Sequence, residues 1–220
     1  MQFRLYILDI SQLEDHNLRE RAITLIDFAR KEKVYKCKND KDRMQQIATG
    51  LLLQVGLLEV EKPFEANIMS RTDSGIVYFS DAFMIVKALE EIKREESFWT
   101  IEGVYEQGRH GKPYWSQEFL KSLPFFKNFP FFNISHSGQY AAFVIADAEI
   151  GLDIQEERTT KYIKGDYRSF SRMEAYIKCI GESVLEGYSK YEEQRGSLSD
   201  YVFWEFEEIP NYAVNLCYKL

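Results

Sequence analysis

The sequence predicts an α+β fold, and three observations carry that prediction. MQFRLYILDI at the N-terminus alternates like a strand, and FNIS and YAAFVIAD, either side of HSGQ, read as two more. Leu18, Ala22, Leu25, Ile26, Phe28 and Ala29 recur at helical spacing, and SFSRMEAYIKCIG from Ser169 reads as a second kind of amphipathic helix. Finally, 220 residues with 45% hydrophobic and 15% aromatic content can bury a substantial core, as one domain or as two compact halves.

Taken in order, the N-terminal strand leads into one helix from about Leu18. That helix runs into the dense basic segment RKEKVYKCKNDKDR, Arg30 to Arg43, and MQQIATGLLLQVGLL follows as a further helix. The stretch 63–109 is the least legible, with a strand at GIVYF, a helix at AFMIVKALEEIKREE and then FWTIEGVYEQ. Gly111-Lys112-Pro113 marks a turn. EIGLDIQ follows a turn at DAE as another strand. Ser171 is expected to cap the next helix and Gly181 to stop it. YVFWEFEEIPNYAVNLCYKL gives two strands across a turn at IPN.

A formal net charge of −7 and a pI near 5.2 argue against a general nucleic-acid binder, which needs many cationic contacts to phosphates. No apolar stretch approaches the ~20 residues that span a bilayer, and the N-terminus predicts no signal peptide. Cys37, Cys179 and Cys217 are odd in number and scattered, which predicts neither a disulfide framework nor a metal knuckle. A reduced, cytoplasmic setting is the expectation.

Several residues have the chemistry of a site. Glu174 and Lys178 are four apart on one helix and project from the same face, although such a pair is ordinarily a surface ion pair. Asp153 lies among Ile150, Leu152 and Ile154, where a carboxylate needs a partner or a cation. A hard ion such as Mg²⁺ suits it, because that ion takes carboxylate and phosphate oxygens together. His136, between Ser135 and Ser137, is either a hydrogen-bonded turn residue or part of an anion-binding turn completed by Gly138. Arg30 and Lys33 open the basic segment, which by default is a solvated face and beside a metal carboxylate becomes a phosphate clamp.

NISHSG, GLDI fifteen residues on from its histidine, ExxxK on a helix and GKP upstream together resemble the 4′-phosphopantetheinyl transferases, in particular the longer monomeric type that activates peptide and polyketide synthetase carrier proteins. The resemblance is carried by Gly111 to Pro113, Asn133 to Gly138, Gly151 to Ile154 and Glu174-Ala175 with Lys178 and Gly181, and the basic segment before Gly50-Leu51-Leu52-Leu53 looks like the family's N-terminal CoA-phosphate region. It implies two similar α+β halves packed as a pseudo-dimer, here 1–148 with the CoA-phosphate residues and 149–220 with the metal and catalytic residues. It also implies transfer of the phosphopantetheine arm of coenzyme A to a serine of an acyl or peptidyl carrier protein, with release of 3′,5′-ADP. By the family pattern Asp153, Glu174 and Gln155 would surround Mg²⁺, Glu174 would help deprotonate the carrier serine, and Lys178 would stabilise charge on the pyrophosphate. Arg30, Lys33, Lys112, Ser135, His136 and Lys178 would meet the phosphates of CoA.

The chain departs from that pattern in several places. Gln155 stands where many members have a second acid, Gln45 and Gln46 where Arg or His is frequent, and Phe170 in place of the usual Trp. The stretch from Ile154 to Met173 is short for the type. A non-catalytic relative that binds CoA or a carrier protein is therefore the alternative reading, with an unrelated interaction protein as the third.

Overall fold

The computed structural model describes residues 2–61, 68–71, 75–95, 105–122, 131–157, 166–194 and 198–220. Parts of the stretch 63–109 and the segment 158–165 lie outside the described residues. The fold is mixed α+β, with sheets of five, three and two strands.

Strand β1 (Phe3–Asp9) sits at the centre of the largest sheet, in the order β2-β3-β1-β7-β6, where β2 is Ile68–Arg71, β3 Gly75–Ser80, β6 Phe131–Ser137 and β7 Tyr140–Ala146. It pairs in parallel with β3 and antiparallel with β7. Strand β8 (Ile150–Glu156) belongs to a separate sheet, order β8-β10-β9, completed by the C-terminal hairpin β9 (Tyr201–Phe206) and β10 (Tyr212–Lys219). The third sheet is the short hairpin β4 (Tyr105–Gln107) and β5 (Pro113–Trp115).

Alternation along the strands decides the layers. Tyr6, Leu8, Phe132, Phe143 and Ile145 face a core shared with helices α1 (His16–Leu25), α3 (Asp40–Glu61) and α4 (Ala82–Glu95). Phe3, Leu5, Ile7, Ala142 and Val144 face the other way, onto Leu152, Ile154, Val214 and Leu216 of the three-stranded sheet. That sheet's outer face is covered by α6 (Tyr167–Ile180) through Ala175, Tyr176, Cys179 and Cys217, with α7 (Val184–Gln194) alongside. Helices, sheet, sheet and helix stack as four layers, each sheet burying both faces.

The expected single helix from Leu18 is two. Helix α1 ends at Leu25, Ile26 is extended, and Asp27 caps α2 (Phe28–Lys36) by accepting from the Arg30 N–H at 3.0 Å. The apolar repeat continues across the break, so periodicity alone does not reveal it; the aspartate does. Ser171 is not the cap of α6 either. Asp166 caps it, accepting from the N–H groups of Arg168 and Ser169, while Ser171 lies fully buried inside the helix. Gly181 does end the helix, with φ of 69° in the left-handed region that a glycine adopts without strain.

Gly151 explains how α6 comes so close to β8. A Cβ there would lie 2.0 Å from the Ala175 carbonyl oxygen and 2.3 Å from the Cys179 nitrogen, both backbone atoms. Only glycine lets helix and strand touch at this level.

Strands β6 and β8 are edge strands of different sheets, joined by side chains. The N–H groups of Leu152, Ile154 and Glu156 donate to Asn133 Oδ1, Ser135 Oγ and Ser137 Oγ at 3.4, 3.2 and 3.0 Å. Each bond spans nineteen positions, so the strands run in the same direction. Polar residues at every second position of NISHS thus satisfy an edge that would otherwise present bare N–H groups.

Candidate active site

The NISHS stretch serves two sites because a strand's neighbours face opposite sides. Asn133, Ser135 and Ser137 turn toward β8, and His136 turns toward a cleft of ≈ 220 Å³ lined by Arg30, Lys33, Gln46, Gln107, Ile134 and the 111–113 turn. Ser135 therefore does not join His136 at the cleft. Its hydroxyl donates to Asp153 Oδ1 at 3.1 Å and accepts from Ile154 N–H and from Lys178 Nζ at 3.0 Å, which makes it a support of Asp153.

On that second side Asp153 is 4% exposed. Lys178 Nζ lies 2.6 Å from its Oδ1 and 3.8 Å from Glu174 Oε2, so these two oxygens lie within the sum of those distances of each other. Two oxygens that share one Mg²⁺ at ~2.1 Å each lie within about 4.2 Å of one another, a separation that this upper bound allows. Burial raises the Glu174 carboxyl above its ordinary value, and the nearby Asp153 charge adds to the rise while Lys178 opposes it. Among the described residues, Asp153 Oδ2 is buried with no hydrogen-bond donor. A buried anionic oxygen left open beside a second carboxylate fits a hard cation such as Mg²⁺. Gln155 lies on the same strand, two residues beyond Asp153, but its Nε2 donates to the neighbouring Glu156 carbonyl at 3.0 Å.

The cleft is cationic. Arg30 is 6% exposed, its Nε has no acceptor among the described residues, and its guanidinium lies 5.7 Å from the centre of the Tyr105 ring. Among the described residues it makes no ion pair, which is the condition of a cation waiting for an anion. Lys33 is held below its ordinary value, first by burial and then by the Arg30 charge. His136 reaches solvent through the cleft yet is crowded by protein, and burial, followed by the charges of Lys178 and Arg30, lowers its pKa from the ordinary 6.5.

Gln46, read from the sequence only as a departure, links two of these groups. Arg30 Nη1 donates to its Oε1 at 3.2 Å, which fixes the amide, so its Nε2 is the donor toward His136 Nε2 at 3.2 Å. That ring nitrogen must then be unprotonated, in keeping with the lowered pKa. Gln45 Nε2 donates to the Gly138 carbonyl at 2.9 Å and holds the β6–β7 turn.

Lys112 is placed differently from expectation. Its Nζ donates to the Cys179 carbonyl at the end of α6, where a cation complements the helix dipole, while its neighbours Gly111 and Pro113 line the cleft. The lysine thereby docks the β4–β5 hairpin onto α6.

One further group of ligand-type atoms occurs among the described residues. His110, Glu182 and Glu186 place one atom each within 4.8 Å of one another. Each carboxylate has an ordinary partner: Glu186 Oε2 accepts from Ser183 at 2.6 Å in a helix-capping pair, and Glu182 is bridged by Lys190. No family model and no curated protein matches the chain.

Proposed function

We propose that the protein transfers the 4′-phosphopantetheine arm of coenzyme A to a serine hydroxyl of an acyl or peptidyl carrier protein, with 3′,5′-ADP as the other product. The observation that carries this reading is Asp153 Oδ2, buried without a donor among the described residues beside Glu174 and Lys178, while the opposite side of strand β6 faces a cleft whose buried Arg30 pairs with no described anion. An acidic pocket for a cation and a basic pocket for phosphate are what a pyrophosphate-splitting reaction requires. The NISHSG, GLDI and ExxxK resemblance supplies the substrate class.

In this mechanism Arg30, Lys33 and His136 bind the phosphates at the nucleotide end. Asp153 and Glu174 would hold Mg²⁺, which would supply neutralisation of the pyrophosphate charge. Glu174, whose raised pKa brings it nearer to neutrality, accepts the proton as the serine oxygen forms its bond to the phosphorus bearing pantetheine. The bond from that phosphorus to the ADP oxygen breaks, and Lys178 offsets the charge on the departing phosphate. Gln155, whose Nε2 donates to the Glu156 carbonyl, would offer its amide oxygen to the same ion from the face of β8 that carries Asp153. A cytoplasmic monomer is the setting this reading implies.

A second reading, a relative that binds CoA or carrier without transfer, draws on Lys178 itself: through Oδ1 its ammonium already neutralises the carboxylate that a metal cation would otherwise neutralise. Incubation with CoA, Mg²⁺ and an apo carrier protein separates the two. A carrier mass increased by one phosphopantetheine selects the transferase, and CoA binding with unchanged carrier mass selects the second reading.

A further inference from the structure

Asn215 sits on β10 directly opposite Asp153 of β8 and directly opposite Glu205 of β9. Cys217, two residues on, opposes Gly151 and packs under α6 with Ala175 and Cys179, so Asn215 shares that helix-covered face with Asp153. It is 1% exposed, and among the described residues its Nδ2 has no hydrogen-bond acceptor. An amide donor and a carboxylate oxygen, both buried and both without partners, therefore occupy facing positions of one strand pair.

The flanking carboxylate is already turned to another cation. Glu205 Oε1 already accepts from Arg168 Nη1 at 2.8 Å. Directly opposed residues have Cβ atoms about 4.5–5.5 Å apart, and the Cβ–Cγ torsion of asparagine is soft, so its amide reaches the Asp153 carboxylate by rotation alone.

We infer that Asn215 is a positioning residue for the cation pocket, its carboxamide orienting the buried second oxygen of Asp153 from beneath while Ser135 and Lys178 hold the first. The inference rests on the reading of Asp153 and Glu174 as the cation pocket and adds to it a residue outside the ligand set. Supports of this kind fix a ligand's direction, and their loss typically weakens metal affinity by about 10–100-fold.

The test is titration of the whole chain with Mn²⁺, free ion being read by electron paramagnetic resonance in the absence of CoA and carrier. Asn215→Ala should raise the Mn²⁺ dissociation constant by about tenfold or more, and in an Asp153→Ala background it should change nothing further. Asn215→Asp, close in shape, places a new carboxylate beside Asp153; it should melt at a lower temperature than the unchanged protein without metal and gain more in Tm on adding Mn²⁺. Unchanged Mn²⁺ affinity in folded Asn215→Ala overturns the inference and leaves the cation pocket standing. Should that variant not fold, an Asn215→Asp protein whose Tm gain on Mn²⁺ is no larger than wild type overturns it equally. Absence of Mn²⁺ binding by the unchanged chain overturns the cation pocket and this inference together.

Discussion

Lys178 Nζ stands between Asp153 Oδ1 at 2.6 Å and Glu174 Oε2 at 3.8 Å, one ammonium serving two carboxylates from different elements. The pair is set by contact between helix and strand, so its members are separable by mutation. Asp153→Asn and Glu174→Gln keep shape while removing charge. Each should lower phosphopantetheine transfer by at least ~10²-fold, the usual cost of losing one electrostatic stabiliser. Thermal melting should change little; near-wild-type transfer by either variant would end the two-carboxylate mechanism.

Removing the cation has the opposite balance. In Lys178→Met, Asp153 stays buried, with its hydrogen bond from Ser135 kept and its counter-charge gone. Because Lys178 is partly exposed, the loss should be about 2 kcal/mol, below the roughly 3–5 kcal/mol of a fully buried pair. Added Mg²⁺ should recover part of it. Chemical denaturation with and without Mg²⁺ reads both quantities, and a variant as stable as wild type without metal would show that the ion pair contributes nothing.

The cleft should respond to pH through His136. Its folded pKa is lowered from 6.5, so below that value the unfolded chain binds more protons and stability falls with falling pH until the folded pKa is passed. Anion binding moves in the other direction: a bound phosphate favours the imidazolium, and CoA affinity should rise as pH drops through the same window. His136→Gln should flatten both dependences. Calorimetric CoA titrations across pH 5.5–7.5 with an unchanged slope in the variant would remove His136 from the phosphate site.

Gln46 offers a sharper handle on the same cleft. Gln46→Glu replaces a donor at His136 Nε2 by an acceptor and gives Arg30 an internal carboxylate. The His136 pKa should rise, followed by the ring's NMR titration, while CoA affinity falls by about tenfold for the loss of one charge-assisted contact. Unaltered titration would mean the amide does not control the ring.

The close approach at Gly151 predicts a packing effect with a functional consequence. Gly151→Ala brings a methyl group against two backbone atoms of α6 that no side-chain rotation can clear. The helix must move off the strand, costing about 3 kcal/mol or more and carrying Glu174 and Lys178 away from Asp153. A variant with unchanged Tm and unchanged Mn²⁺ affinity would contradict that packing.

Strands such as YAAFVIAD and YAVNLCYKL are legible as short apolar runs because both sheet faces are buried, whereas β2, β4 and β5 are too short to stand out, and the stop of α6 is legible because Gly181 suits its φ. The break at Ile26 and the cap at Asp166 were not, since the apolar pattern runs through one and Ser171 competes with the other on residue type. At the site, GLDI and ExxxK pointed to Asp153, Glu174 and Lys178, which the structure brings together. Ser135 and Lys112 were read toward phosphate because a one-dimensional pattern carries no facing: period two turns Ser135 away from His136, and a helix end captures Lys112. Gln46 and Asn215 carry no spacing signal at all, since their roles come from partners 90 and 62 positions distant.

Strand β6 carries two interleaved messages in a single phase. Its odd-numbered polar residues stitch one sheet edge to another, and the even-numbered histidine between them belongs to the cleft. Inserting or deleting one residue within 133–136 would exchange the audiences of everything beyond it: the imidazole would be driven against the Asp153 pocket, and a serine would face the basic cleft. The segment is thus far less tolerant of a change in length than of a change in letter, and a substitution such as Ser137→Thr, which keeps phase and hydroxyl, is the kind of variation it can absorb.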